Sequence, residues 1–312
     1  MLAEVVRSGF VEGVHRGSVV ALAADGSVAL SVGDPGAPMF PRSANKPLQA
    51  AAMLELGLDL HGELLALAAS SHSGEQFHLD GVRTILSAAR LDEDALHTPP
   101  DWPYDPVAGR AWVRSGHDAE GIAHNCSGKH AAMLLTCVVN GWDTATYLDP
   151  HHPLQVHLRD ALQAYAGASV VATGVDGCGA PLYALPLTAL ATAVRSCVVA
   201  DHGTPRRRVV DAMREHPEWV GGTDRDVTTL MRGVDGLVAK DGAEGVGVAA
   251  VADGRAVAVK VDDGASRARQ VVTAQALIAV GVDAPVVREQ TAFELLGGGA
   301  VVGAVHALHL TP

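Results

Sequence analysis

Two serine–lysine arrangements and two glycine-flanked cysteines are the residues here whose types and spacing could do chemistry. Pro41-Arg42-Ser43-Ala44-Asn45-Lys46-Pro47 puts a hydroxyl and an amine three residues apart, ahead of an apolar run. In a first helical turn both side chains project from one face and can meet. A serine needs an adjacent base to become a nucleophile, and a lysine can be that base when burial or nearby positive charge lowers its pKa. Ser-x-x-Lys is the arrangement that acyl-transferring serine enzymes use. As a local pattern it also reads as an N-cap serine followed by a solvated lysine.

Ser71-His72-Ser73-Gly74-Glu75 gathers hydroxyls, an imidazole and a carboxylate after an apolar helix; alone it reads as a polar capping loop. Cys126 and Cys178 lie in the turns Asn125-Cys126-Ser127-Gly128 and Asp176-Gly177-Cys178-Gly179, where glycine lets another group approach closely. Cys137 and Cys197 sit inside apolar helices and read as small buried hydrophobes. Two thiolates would suit a borderline metal such as zinc, although the usual C-x-x-C and C-x-x-H spacings are missing. Lys240-Asp241-Gly242 opens a strand-turn-strand pattern like the Lys-Thr/Ser-Gly edge strand of penicillin-recognising enzymes, with Asp in the hydroxyl's place. Lys260 interrupts an alternating strand, which locally reads as an exposed lysine. The isolated His15, His61, His202 and His306 carry no constellation.

These groups must be held by the elements around them. Glu4 to Val32 reads as a hairpin turning at Ala24-Asp25-Gly26-Ser27, and Gly33 to Pro41 as a connector. Helices are expected from Ser43 to Gly57, Glu63 to Ser70, His78 to Ala89, Ala131 to Val139 and Pro153 to Tyr165. Residues 97 to 110, with four prolines, form a long loop. Val170 to Thr173 reads as a strand, Leu182 to Val194 and Pro205 to Glu215 as helices. Gly236 to Lys240, Gly245 to Ala252 and Arg255 to Val261 read as antiparallel strands, followed by a helix Ala265 to Val280 and a strand Val301 to Leu310.

The order of strands, helices, then strands implies an α+β body whose antiparallel sheet joins the two ends of the chain. One unit spans residues 1–312, with a mixed part over about 1–40 and 236–312 and a helical part over about 43–235. Its 312 residues suffice for a large core, and a formal net charge of −12 without a basic stripe argues against nucleic acid or an anionic membrane as partner. Arg206-Arg207-Arg208 falls on an amphipathic helix and reads as a solvated face. No window of eighteen uncharged apolar residues and no secretory signal pattern is evident, and four unpaired-looking cysteines fit a reducing cytoplasm.

Taken in order, Pro41 to Gln49, Ser71 to Glu75, Asn125 to His130, Asp176 to Pro181, Ala239-Lys240 with Gly242 to Glu244-Gly245, and Lys260 through Gly264 resemble one family across the whole chain. It is the asparaginase II family of the rhizobial inducible, thermolabile type. The resemblance implies a fold similar to serine β-lactamases and bacterial glutaminases, and hydrolysis of L-asparagine to L-aspartate and ammonia. It implies two Ser–Lys pairs, Ser43 with Lys46 and Ser71 with Lys260, and zinc held by Cys126, Cys178 and Lys129. Arg42, His72, Glu75, Asn125, Asp176, Gly177, Lys240 and Glu244 are then expected around the substrate, and a cytoplasmic homodimer is the expected assembly. Where the family often has Thr, this chain has Asp241. Ser43 is expected to attack and Ser71 to relay protons, with the reverse order left open. Other readings are a glutaminase or other serine amidase of this fold, and a silent zinc-binding homologue.

Overall fold

The computed structural model describes residues 1–310. A five-stranded antiparallel sheet runs in the order Val28–Val32, Gly17–Leu22, Ala256–Val261, Val246–Val251, Leu237–Gly242. Sequence alternation is lost in its central strands because both faces are covered: every residue of Val246–Val251 is buried. Helices Leu187–Val198 and Ser266–Ala279 pack on it. A second antiparallel sheet joins the chain ends, in the order Ala292–Gly297, Ala300–Ala307, Ala3–Arg7, Phe10–His15. The body is α+β, as expected.

Helix Lys46–Glu55 is the hub of the helical part. Residues Lys46 through Leu54 are all buried, and the helix contacts Gly62–Ala68, Ser127–Asn140, Pro153–Ala166, Leu187–Val198 and Pro205–Glu215. Its central Ala50-Ala51-Ala52 run lets neighbours approach from every side, the pattern of a helix with no solvent face. A buried Lys46 at its first turn is therefore expensive unless its charge is answered.

Several elements differ from the sequence reading. The segment Glu4 to Val32 holds four strands, Ala3–Arg7, Phe10–His15, Gly17–Leu22 and Val28–Val32, shared between two sheets. The 24–27 turn joins the last two. Ser43 lies in a 3₁₀ turn, Arg42–Asn45, that precedes the α-helix starting at Lys46. Pro181–Pro186 is a strand, and the helix begins only at Leu187. A short apolar run does not declare its type by periodicity, and the residue before each proline is pushed to extended backbone. That strand pairs with Ala172–Val175 and with Pro38–Met39 in a small third sheet. The proline-rich loop already contains helix Pro106–Arg114, capped by Asp105, whose carboxylate accepts from the backbone N–H groups of Val107 and Ala108. Helix Asp226–Gly233 and strand Ala292–Gly297 were not anticipated. No described helix is long and apolar enough to cross a membrane.

Candidate active site

The turn Arg42–Asn45 sits against the end of strand Leu237–Gly242 because residue 242 has no side chain. A Cβ built on Gly242 would lie 2.8 Å from the Pro41 carbonyl oxygen and 3.1 Å from the Ala44 nitrogen. Arg42 adopts a φ of 50° and Glu244 one of 58°, left-handed conformations that non-glycine residues seldom take and that cluster at functional sites.

The loop carrying Ser71 is stitched from several directions. The backbone N–H of Ser71 donates to Val220 O at 3.0 Å and that of His72 to Asn125 O at 3.1 Å, while Ser73 Oγ donates to Gly221 O at 2.8 Å. His72 is fully buried, and burial, with the charges of His78 and Lys46, holds it well below its ordinary value, so it is neutral. Its Nδ1 accepts from the Gly74 N–H, so Nε2 carries the proton and donates to Ser127 Oγ at 2.9 Å. Ser127 Oγ in turn donates to Ile122 O. Both ring nitrogens are thus occupied, and His72 braces the Ser71 loop against helix Ser127–Asn140; no ring atom remains for a substrate. Glu75 is similarly committed, accepting from the Thr223 N–H at 2.8 Å and from Thr223 Oγ1 at 2.6 Å.

Ser43 and Ser71 line one cavity of about 580 Å³, together with Asn125, Asp241, Gly242, Glu244 and the arginines Arg225, Arg267 and Arg269. Beneath it, Lys46 Nζ donates to Ser70 O at 2.6 Å, Ser71 Oγ at 3.0 Å and Cys126 Sγ at 3.1 Å. Each hydrogen of an ammonium there has its own acceptor. Lys46 therefore reaches Ser71, and no hydrogen bond joins it to Ser43. The structure does not bring Lys260 to Ser71: Lys260 Nζ donates to Val261 O, on a separate cavity lined by Phe40, Arg42, Val175 and Glu244. The buried strand lysine near Lys46 is instead Lys240, 1% exposed, whose Nζ donates to Asp241 O and Asp241 Oδ1, both at 2.7 Å. Burial, reinforced by Lys46, holds Lys240 down to about 8 even though Asp241 pushes the other way.

The cysteines separate as their surroundings demand. Cys126 and Cys178 pack together with Ala180 and Leu148, and Lys129 Nζ lies 3.3 Å from Cys178 Sγ. The hydrogen bond from Cys178 and the ammonium groups of Lys46 and Lys129 outweigh burial and hold the Cys126 thiol well below the ordinary thiol range. Burial opposes the charge on Lys129, but Cys178, Cys126 and Asp176 overcome it and raise its pKa. Asp176, which burial would neutralise, stays ionised through Lys129 and Arg42; Arg42 Nε donates to Asp176 Oδ1 at 2.7 Å and its guanidinium lies 3.7 Å from Glu244 Oε1. Gly177 lies beside the same guanidinium, its N–H donating to Asp176 Oδ1. The Asn125 amide sits 3.1 Å from Cys126 Sγ. Cys137 and Cys197 have thiols pushed up to about 12 by burial, which for Cys197 outweighs the nearby Arg206.

Two thiols and an amine converge in this nook, a donor set that suits zinc once the amine gives up its proton. Among the described residues no group of three His, Cys, Asp or Glu side chains could hold a metal.

The sequence profile described as L-asparaginase II matches residues 3–307. The chain belongs to the L-asparaginase II family. That makes it an asparaginase-type amidohydrolase, on the α+β arrangement of sheets and helices laid out above. No curated protein sequence matches the chain. Among solved structures it is similar to a β-lactamase from Mycobacterium bovis at 14% identity, with a TM-score of 0.45, over 84% of this chain and 93% of that one. It is also similar to simvastatin synthase from Aspergillus terreus at 12% identity, with a TM-score of 0.40, over 78% and 86% of the two chains.

In this amidohydrolase the sequence reading missed the cavity's outer wall. Arg225 NH2 donates to Asp241 Oδ2 at 2.5 Å, and its guanidinium lies 4.7 Å from the ring centroid of Tyr104 in the proline-rich loop. Arg269 pairs with Asp226 on the same wall. The polar run Thr223-Asp224-Arg225-Asp226 was the available signal.

Proposed function

We propose that this protein hydrolyses L-asparagine to L-aspartate and ammonia by acyl transfer through a serine. The observation that carries the reading is the contact between Lys46 Nζ and Ser71 Oγ, 3.0 Å, beneath a cavity that Ser43 also lines. A hydroxyl within hydrogen-bond reach of a lysine amine is the signature of an activated nucleophile or of a proton relay to one.

Ser43 is the more open of the two hydroxyls, half-buried where Ser71 is 5% exposed, and is assigned as the attacking group. Its Oγ bonds to the side-chain amide carbon while its proton passes through Ser71 Oγ to Lys46, which must react as the free amine. The C–N bond breaks, the departing nitrogen takes that proton, and ammonia leaves. Water then adds to the aspartyl ester, giving up a proton to the same pair, and expels Ser43, whose oxygen takes that proton back. Backbone N–H groups of the turn around Ser43 would stabilise the oxyanion. The 3.0 Å contact favours a second order in which Ser71 itself attacks. Lys240, buried beside Lys46, supplies a second amine poised near neutral pH, the role the sequence reading gave to Lys260.

Cys126, Cys178 and Lys129 would hold zinc, which when bound supplies a Lewis acid for the substrate's amino-acid end. Arg42 and Asp176 frame that nook and would orient the same end.

Ammonia release from L-asparagine and from L-glutamine, with and without chelator, tests the activity. Turnover on asparagine is expected; zinc in the protein without ammonia release would sink the reading. Ser43→Ala and Ser71→Ala, examined separately for an acyl adduct by mass spectrometry, decide the order. An adduct that survives in Ser43→Ala would transfer the attacking role to Ser71.

A further inference from the structure

Asp241 stands out because the strand residue after the buried lysine contributes a carboxylate with two cationic partners. Its Oδ1 accepts from Lys240 Nζ at 2.7 Å and its Oδ2 from Arg225 at 2.5 Å. Charges reach this pair from every packed element. Lys46 comes from the hub helix, Arg225 from the loop before helix Asp226–Gly233, and Arg269 from helix Ser266–Ala279, where it is itself paired with Asp226. Beyond Arg225 the contacts continue outward to Tyr104, 60% exposed on the loop that walls the cavity.

We propose that Asp241 is a positioning residue for the reaction: shared between Lys240 and Arg225, it governs how firmly the Lys240 amine keeps its proton and ties that amine to the Tyr104 loop. This rests on the amidase reading above for its kinetic consequence alone. The physical sense is a balance. Burial drives Lys240 toward the neutral amine, Asp241 favours the ammonium, and Lys46 and Arg225 oppose it. Arg225 acts twice, repelling Lys240 and drawing the Asp241 charge outward. Removing Asp241 and removing Arg225 must therefore move Lys240 in opposite directions. A carboxylate with a merely structural role would cost stability in both variants and move neither titration.

The test uses the full chain with isotope-labelled lysine side chains. The sequence has four lysines, Lys46, Lys129, Lys240 and Lys260, so the spectrum holds four side-chain signals. Lys240 is followed against pH in the native protein and in Asp241→Asn, Asp241→Glu and Arg225→Gln. Asp241→Asn is expected to lower its titration point by about one pH unit or more. Asp241→Glu is expected to restore most of that shift, and Arg225→Gln to raise the point above the native one. The corresponding limb of the kcat/KM profile on L-asparagine is expected to move with it. Titration unchanged in the folded variants, or displaced the same way by Asp241→Asn and Arg225→Gln, would overturn the proposal. Should Asp241→Asn fail to fold, the direction of Arg225→Gln decides. Lys240 shifts in a protein that never hydrolyses asparagine would leave the pairing standing and reject the amidase reading.

Discussion

Lys129 and Lys240 are buried alike, at 2% and 1% exposure, yet their amines are driven in opposite directions. Burial opposes the charge on each. Lys129 is nevertheless raised, because Cys178, Cys126 and Asp176 around it all favour the ammonium. Lys240 is lowered to about 8, because its single carboxylate is shared with Arg225 and another ammonium, Lys46, stands close by. Depth alone therefore does not set the character of a buried amine; the tally of charges around it does. One lysine becomes a firm cation that only a metal would displace from its proton, the other an amine that can exchange protons near neutral pH.

Lys46 stands between the two environments, so Lys46→Met is the change expected to disturb most. It removes the donor to Ser71 Oγ and to Cys126 Sγ and the positive charge felt by Lys240. Turnover is expected to fall by about a thousandfold, the middle of the range for losing a positioned acid–base group. At the same time the Lys240 titration point should rise, since a repelling neighbour has gone. Turnover within tenfold of the native protein would show that Lys46 is a structural bridge between the two nooks and no more.

A smaller effect separates the thiol nook from an ordinary buried thiol. Cys178→Ala strips Lys129 of the sulfur 3.3 Å from its amine and leaves a buried cation partly unanswered. Breaking a buried charged contact from one side costs about 3 kcal/mol or more. Cys137, equally hidden in helix Ser127–Asn140, touches no cation, and Cys137→Ala is expected to cost about 1 kcal/mol, an ordinary loss of packing. Urea unfolding of both variants in the presence of chelator measures the difference. Adding Lys129→Met to Cys178→Ala should recover part of the loss. Equal costs for the two cysteines would mean that Cys126 and Asp176 answer Lys129 without Cys178.

Much of this was legible in the residues, and the reason differs from place to place. Polar residues set among glycines and small side chains announced the Ser43 turn, the Ser71 loop and the two turn cysteines, because such groups have no packing excuse in a core. The antiparallel strands from Leu237 to Val261 declared themselves by composition and turns. Pairing across the fold was not legible. Ser43-x-x-Lys46 promised a local contact, but the first turn is 3₁₀ and directs Lys46 inward to Ser71, 25 positions along the chain. Lys260 and Lys240 both lie on sheet strands, and only strand order shows that Lys240 is the one beside the Ser43 turn. His72 was expected beside the substrate, but its two nitrogens bridge Gly74 and Ser127. Arg225 was marked only by the polar run Thr223-Asp224-Arg225-Asp226, since its value lies in Asp241 and Tyr104, both distant in sequence.

The geometric side of the comparison rests on Gly242. Lys240 and Asp241 share a strand end that lies against the Arg42–Asn45 turn, and the approach is close enough that a Cβ on residue 242 would meet backbone atoms at 2.8 and 3.1 Å. Backbone cannot swing aside as a side chain would. Gly242→Ala must either push the Ser43 turn away or pull the strand end out of register with Val246. The expected cost is about 1–3 kcal/mol, that of a local overpacking, measured as a lowered urea midpoint. The thiol nook lies off this contact, so Lys129 should keep its titration while that of Lys240 moves and asparagine turnover falls. If Lys129 shifted as much as Lys240, the two buried amines would belong to one mechanical unit, and the division between charge anchor and proton exchanger would fail.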